Sequence, residues 1–272
     1  AYVQCENGKA LLGCDIVHWL RTSERDLQQV RMRPKDSRGQ KVLDWTITVE
    51  GGATELCYDD HNGNRVDLIG IEPGRTETSI RCVGLVENTE GDGVLGKHQG
   101  FLPLWHFKRS SPLTQAGEGV RKLVAGLGDC DIAQVSTGHA LSAAILDTVG
   151  YEGGNTHSGT TAEEAITGGT GVCQDHAHIF CSAARLMGLP ARYVSGYLMM
   201  NDRVEQDASH AWAEAFFEGL GWVGFDISNG YSPDERYIRV ATGIDFREAA
   251  PINGMRMGGS DEGVLVTLKV EQ

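Results

Sequence analysis

Cys173 is where the chain first suggests chemistry. It follows Gly168-Gly-Thr-Gly-Val172 and opens a stretch of helical character that runs to the Gly-Leu-Pro stop at 188–190. A thiol reacts as thiolate, and a helix start favours negative charge there. The unfilled backbone N–H groups at that end, that of Cys173 included, could also hold the oxyanion of a tetrahedral intermediate. Gly171 would keep the approach open for a substrate. Cys181, two turns further on, has none of these features and reads as packing. A second reading is a metal site, because Cys173, His176, His178 and Cys181 lie within nine residues and such a set suits zinc. On one helix, however, the two cysteines stand about 12 Å apart and the two histidines point about 200° apart, so one tetrahedral ion cannot gather all four. The chain also has no GxGxxG, no P-loop and no EF-hand loop. Neither a metal nor an organic cofactor is expected.

A nucleophilic thiol needs a base, and the base needs a group to orient it. "SHAWAEAFF" (209–217) alternates, "EGLG" (218–221) turns and "WVGFDIS" (222–228) returns, which is the pattern of a β-hairpin. A turn centred on residue 218 would set His210 and Asp226 directly opposite one another. Their Cβ atoms would then lie roughly 5 Å apart, close enough for an imidazole–carboxylate hydrogen bond. The visible turn is centred one or two positions later. Taken singly, a cysteine is most often packing, a strand histidine structural, and Asp226 a turn residue. Their joint arrangement points instead to nucleophilic catalysis by Cys173, His210 and Asp226.

The elements that must position these residues fall into two textures. Residues 1–108 read as strands and turns: "KVLDWTITVEGG", "YDDHNGNRVDLIGIEPG" with its Asn-Gly signal, and "TSIRCVGLVE". They suggest a β-sandwich-like domain without a cluster of chemistry-bearing residues, His18 and His61 being surface or packing positions. From Pro112 onward apolar residues recur at helical spacing (Val120, Leu123, Val124, Leu127, then Ile132, Val135, Leu141, Ala144, Ile145). Thr161-Ala-Glu-Glu164 resembles a capping box, and Gly168-Gly169 would end the helix it starts. Cys173, Ala177, Phe180, Cys181, Ala184 and Met187 form one apolar stripe, "ARYVSGYLMM" reads as a strand, and the hairpin follows. The expected class is α+β, with an N-terminal β-domain at 1–108 and a catalytic domain at 109–272.

Charge narrows the partners. The formal net charge is −13; residues 1–112 carry 14 Lys and Arg against 16 Asp and Glu, and residues 113–272 carry 10 against 21. So acidic a chain is not built to neutralise phosphates, and nucleic acid is excluded as a partner. No apolar run approaches the roughly 20 residues that cross a bilayer, and the first 20 residues do not read as a signal peptide. The seven cysteines (5, 14, 57, 82, 130, 173, 181) contain no CxxC pair, and reduced thiols in the cytoplasm are the simplest account.

Three blocks together carry a family resemblance: "GVCQDHAHIFCSAARLMGLPARYVSGY", "SHAWAEAFFEGLGWVGFD" and "YIRVATGIDF". They resemble the bacterial branch of the transglutaminase-like superfamily, whose members are described as cysteine peptidases. The resemblance covers residues 113–272, and the first half is similar to the β-domain that precedes the core in this branch. It implies a papain-like core with Cys173 as nucleophile, His210 as general base and acid, and Asp226 orienting His210. Gln174, Asp175 and His178 fall in the same block without an assigned role. Two departures stand out: His176 where a bulky apolar residue is commoner, and "DISN" where "DPTN" is usual. The implied reaction is hydrolysis of a peptide or isopeptide bond through a thioester. Transamidation or deamidation of protein glutamine, and a non-catalytic scaffold, are the alternatives. Tyr151, 22 residues upstream of Cys173, is a candidate oxyanion donor.

Overall fold

Alternation and turn chemistry build the first half. The computed structural model describes the backbone of residues 9–20, 27–74, 77–200, 205–206, 209–255 and 262–271. Cys5 lies outside the described residues, as do the side chains of Cys14 and His18. Six strands come first: β1 (Lys9–Leu20), β2 (Leu27–Arg33), β3 (Gln40–Glu50), β4 (Gly52–Asp59), β5 (Arg65–Ile71) and β6 (Glu77–Asn88). A short β7 (Val94–Gly96) and a 3-10 turn (Leu104–Lys108) lead into the helical part. That part contains α1 (Glu118–Gly126), α2 (Val135–Thr148), β8 (Gly150–Tyr151), α3 (Ala162–Gly168), β9 (Thr170–Gly171) and α4 (Cys173–Leu186). The chain closes with β10 (Ala191–Leu198), β11 (Glu205–Gln206), β12 (His210–Phe217), β13 (Gly221–Phe225), β14 (Tyr237–Gly243), α5 (Phe246–Ala249), β15 (Ile252–Met255) and β16 (Glu262–Glu271).

The strands form three larger sheets, ordered β11-β16-β1-β6-β3, β15-β2-β5-β4 and β14-β10-β12-β13-β7. The first two make the N-terminal sandwich. Val30, Met32 and Ile69 of one sheet and Ile80, Cys82 and Val86 of the other are buried in a common cluster. Strands from the far end of the chain complete it, since β16 pairs antiparallel with β1 and β15 with β2. In exchange, β7 pairs with β13 at the edge of the third sheet. Early and late segments of the chain are thereby interlocked in one another's sheets.

The architecture is the expected α+β class, with N-terminal strands preceding a core of helices packed on an antiparallel sheet. Helix α4 packs on β10 and β12 of the third sheet and is covered by α1, α2 and α3. Every residue from Asp175 to Arg185 is buried, so the single apolar stripe expected for this helix is corrected. A helix enclosed on all sides needs partners for its polar side chains, not a polar face. At the start of α3, Thr161 and Glu164 form the reciprocal capping box, and Gly169 ends the helix in the left-handed region at φ 71°. Among the described residues no helix is long and apolar enough to cross a membrane.

Candidate active site

The sequence from Gly171 to Asp175 shapes the start of α4. Val172 has no side-chain acceptor to offer its own helix. Asp175, three residues on, folds back, and its Oδ2 accepts from the Val172 N–H at 2.8 Å. The same oxygen accepts from the Thr156 hydroxyl at 2.7 Å, which ties the 152–160 loop to the helix start. Gly171 serves this arrangement: a Cβ there would lie 2.8 Å from the Asp175 Cβ and 2.9 Å from its Oδ2. Cys173 sits at this start, half-buried, in the first turn of the helix.

His210 is the first residue of β12 and Asp226 follows the last residue of β13. Their register differs from the expectation. Ala213 faces Phe225 and Phe217 faces Gly221, so the turn is centred on residue 219 and Asp226 falls level with Trp212. His210 and Asp226 are therefore diagonal neighbours two residues apart in register. The shift of two preserves the face, and long side chains bridge the diagonal. His210 Nε2 meets Asp226 Oδ2 at 2.6 Å, with both side chains buried. This leaves Nδ1 as the ring nitrogen free for the thiol.

Electrostatics bind the three residues into one unit. Burial alone would discharge His210, but its hydrogen bonds to Asp226 and Cys173, and the negative charge on both, raise its pKa to about 10. Asp226 is also buried, which works against its charge; hydrogen bonds from His210, Tyr237 and Asn229 nevertheless hold it below the ordinary carboxylate value. The arrangement sets the Cys173 thiol beside an imidazole whose neighbours favour its charged form. It has the geometry of nucleophilic acyl transfer, with a thiol, a proton carrier and a group that fixes the carrier's tautomer.

Sequence reasoning missed the groups that hold Asp226. Its Oδ2 also accepts from Asn229 Nδ2 at 2.7 Å and from the Tyr237 hydroxyl at 2.6 Å. The Asn229 N–H reaches Oδ1 at 3.2 Å, an Asx-type local contact that "DISN" could have suggested. Tyr237 comes from β14, two strands from β12, and no local signal announces it. Trp212 stacks on His210 at 6.2 Å between ring centroids, with 30° between the planes, and period-two spacing on β12 does foreshadow that. Gly196 lies opposite His210 on β10, where a Cβ would come within 2.6 Å of the Trp212 ring.

His176, His178 and Cys181 of the Cys173 block are buried. His176 and Ser228, which fall at the two departures from the family pattern, touch each other: His176 Nδ1 meets Ser228 Oγ at 2.9 Å. Its Nε2 donates to the Val149 carbonyl at 3.0 Å, and burial lowers its pKa despite that bond. His178 accepts the Phe246 N–H at Nε2, and burial lowers its pKa to about 3. Cys181 is fully buried and its thiol is pushed up to about 11. Tyr151 pairs through its backbone with Gly171, and its ring packs edge-on against His176 while remaining 60% exposed.

Comparison with known proteins bears on this arrangement. The transglutaminase-like superfamily model matches residues 123–227, and the bacterial transglutaminase-like N-terminal region matches residues 21–87. An uncharacterized protein of Mycobacterium leprae is 36% identical over 247 residues, covering 85% of this chain and 86% of that protein. One from Mycobacterium tuberculosis is 35% identical over 138 residues, covering 46% of this chain and 43% of that protein. In structure the chain is similar to the "putative cysteine protease" of Cytophaga hutchinsonii, with a TM-score of 0.78 over 96% of this chain and 89% of that one. At 22% identity that likeness shows the fold. The chain belongs to the transglutaminase-like superfamily, a cysteine-dependent catalytic family.

Proposed function

We propose that this chain is a cysteine-dependent amidohydrolase acting on peptide or isopeptide bonds. The observation that carries the reading is the buried 2.6 Å His210–Asp226 contact, with Cys173, at the start of α4, close enough to the same imidazole to raise its pKa. In this reading the Cys173 thiolate attacks the carbonyl carbon and the carbonyl π electrons move onto oxygen. Backbone N–H groups at the start of α4, that of Cys173 first, meet the developing charge. Collapse of the intermediate expels the amine, which takes the proton from His210 Nδ1. His210 then removes a proton from water, whose oxygen attacks the thioester and frees the acid and the thiolate. Asp226 stays ionised throughout and accepts from the Nε2–H, which leaves Nδ1 as the nitrogen that gains and loses the proton. Tyr151, level with Gly171, is a second oxyanion donor in this proposal.

Water, and not an amine, is the proposed acceptor. The acidity of residues 113–272 would draw cationic amines toward the surface, but orientation gives most of the advantage in acyl transfer, with effective molarities reaching about 10⁵ M or more. Transamidation would need a shaped amine channel. The test supplies a glutaminyl or peptide substrate together with millimolar dansylcadaverine and counts hydrolysis product against amine adduct. Hydrolysis product should dominate. A large excess of adduct at low amine concentration would make the chain a transamidase. Absence of turnover together with an unreactive Cys173 would leave a scaffold. The proposed substrates are peptides or isopeptide-linked proteins, and the proposed compartment is the reducing cytoplasm, where a catalytic thiol persists.

A further inference from the structure

Cys173, Asp226 and Tyr151 reach the proposed site on three separate segments of the chain, and one buried side chain joins those segments. It is His176, 0% exposed and one turn after Cys173 on α4. Side chains three apart on a helix are neighbours on its surface, with Cβ atoms about 5–6 Å apart. From there the His176 ring bridges to the other two segments. Nε2 donates to the Val149 carbonyl at 3.0 Å, and in the neutral ring Nδ1 then accepts from the Ser228 hydroxyl at 2.9 Å.

Both contacts fall two residues from a group that the proposed reaction uses. Ser228 follows Asp226 in a loop closed on itself: the Asp226 N–H donates to the Tyr231 carbonyl and the Gly230 N–H to the Asp226 carbonyl, each at 2.9 Å. A displacement at Ser228 is therefore passed on to Asp226. Val149 precedes the short strand in which Gly150 and Tyr151 pair with Thr170 and Gly171, just ahead of Cys173. The Tyr151 ring itself lies against His176, at 6.1 Å between centroids. His178, equally enclosed on the same helix, provides the contrast. It accepts the Phe246 N–H, its Nδ1 has no partner among the described residues, and neither Ser228 nor Val149 bonds to it.

We propose that His176 is a positioning residue: through Ser228 and Val149 it fixes where Cys173 stands relative to the His210–Asp226 pair and to Tyr151. The inference rests on the triad reading of the site. It gives His176 no contact with substrate and no proton of the reaction.

The test uses the full chain and three variants. Ser228→Ala removes one of the two bonds and leaves the ring in place, Ser228→Thr keeps a hydroxyl, and His178→Gln is the control for a buried histidine of α4. Two quantities are measured across the pH range: the rate of Cys173 alkylation by iodoacetamide, and the titration of His210 by NMR on histidine-labelled protein, which needs no turnover. In Ser228→Ala alkylation should slow about tenfold, since a displacement of about 1 Å can cost up to about 10²-fold in such sites, and the His210 titration should shift. Ser228→Thr should restore most of the rate. His178→Gln should lower the melting temperature and leave both quantities as in wild type. Wild-type alkylation and an unmoved His210 titration in Ser228→Ala would overturn the proposal, whatever the melting temperature. A loss that Ser228→Thr shares in full would trace to the loop and not to the bond, and would overturn it too. If Cys173 of the wild type does not react at all, the reaction reading fails, and the His210 titration alone decides whether His176 positions the pair.

Discussion

Two turns of helix α4 hold the same atom type in opposite conditions. Cys173, at the first turn, is half-buried and lies near enough to His210 to raise its pKa. Cys181, two turns on, is sealed among α1–α3 and the sheet, and its thiol is pushed up to about 11. Nearer the C-terminus, the buried Arg185 forms no ion pair with a carboxylate among the described residues. It donates instead to Thr114 Oγ1 and to the carbonyls of Phe107, Ala191 and Ile244. One turn faces the His210–Asp226 pair and the other holds the packing. The difference lies in what the rest of the chain brings to each turn, for the helix itself supplies similar residues to both.

Three measurements probe that contrast, in falling order of effect. The largest concerns Asp226, whose carboxylate makes the first turn different. Asp226→Asn should keep the fold and lower turnover by about 10⁴-fold, because the imidazole loses the acceptor that fixes its tautomer. Circular dichroism checks the fold and steady-state kinetics the loss. Near-native activity in this variant would remove the triad from the mechanism.

Thiol labelling compares the two turns directly. With its pKa near 11, only about one Cys181 in 10⁴ is thiolate at pH 7, and burial protects even that fraction. Brief iodoacetamide treatment followed by peptide mapping should find label on Cys173 well before Cys181. Equal labelling would erase the distinction between the two turns.

The same helix region gives a contrast in pH. His210 holds its proton more tightly folded than unfolded, so its contribution to stability is complete below about 6.5 and is lost as pH rises through about 10. His178 is the reverse, because burial keeps it neutral. Its contribution is complete above about 6.5 and is lost as pH falls through about 3. Urea midpoints for wild type, His210→Gln and His178→Gln should therefore diverge at opposite ends of the pH scale. If both variants changed the same end, one of these charge states would be misassigned.

Legibility followed the range of the contacts. The start of α4, the capping box at Thr161 and the hairpin are set by residues a few positions apart, and the sequence pattern displayed them. The hairpin register was misplaced by one residue at its centre, yet His210 and Asp226 still share a face, because a turn shifted by one moves the pairing by two. The far pairings were silent. Nothing in 262–271 announces that β16 joins β1, and nothing near Tyr237 announces Asp226. Asp175 was passed over although acids at the third helical position commonly cap the start. Its partner here is a backbone N–H at a valine, which breaks the usual Ser/Thr pattern.

The smallest expected effect comes from the contact that the sequence concealed most completely. Asp226 Oδ2 accepts from His210, Asn229 and Tyr237, so removing the Tyr237 hydroxyl leaves two donors on the same oxygen. Tyr237→Phe keeps the ring that packs edge-on against Trp212 at 5.4 Å, so the wall around His210 should survive. What changes is the hold on the carboxylate. With one charge-assisted bond gone, Asp226 is freer to rotate and less well matched to the imidazole, and kcat should fall about tenfold with KM little altered. A purely structural role would lower the melting temperature and leave kcat intact, while a positioning role lowers kcat and narrows the upper limb of the pH–rate profile as His210 loses its proton at lower pH. If Tyr237→Phe matched wild type in both kcat and pH profile, two donors would suffice to hold Asp226, and the first turn of α4 would owe its reactivity to the hairpin alone.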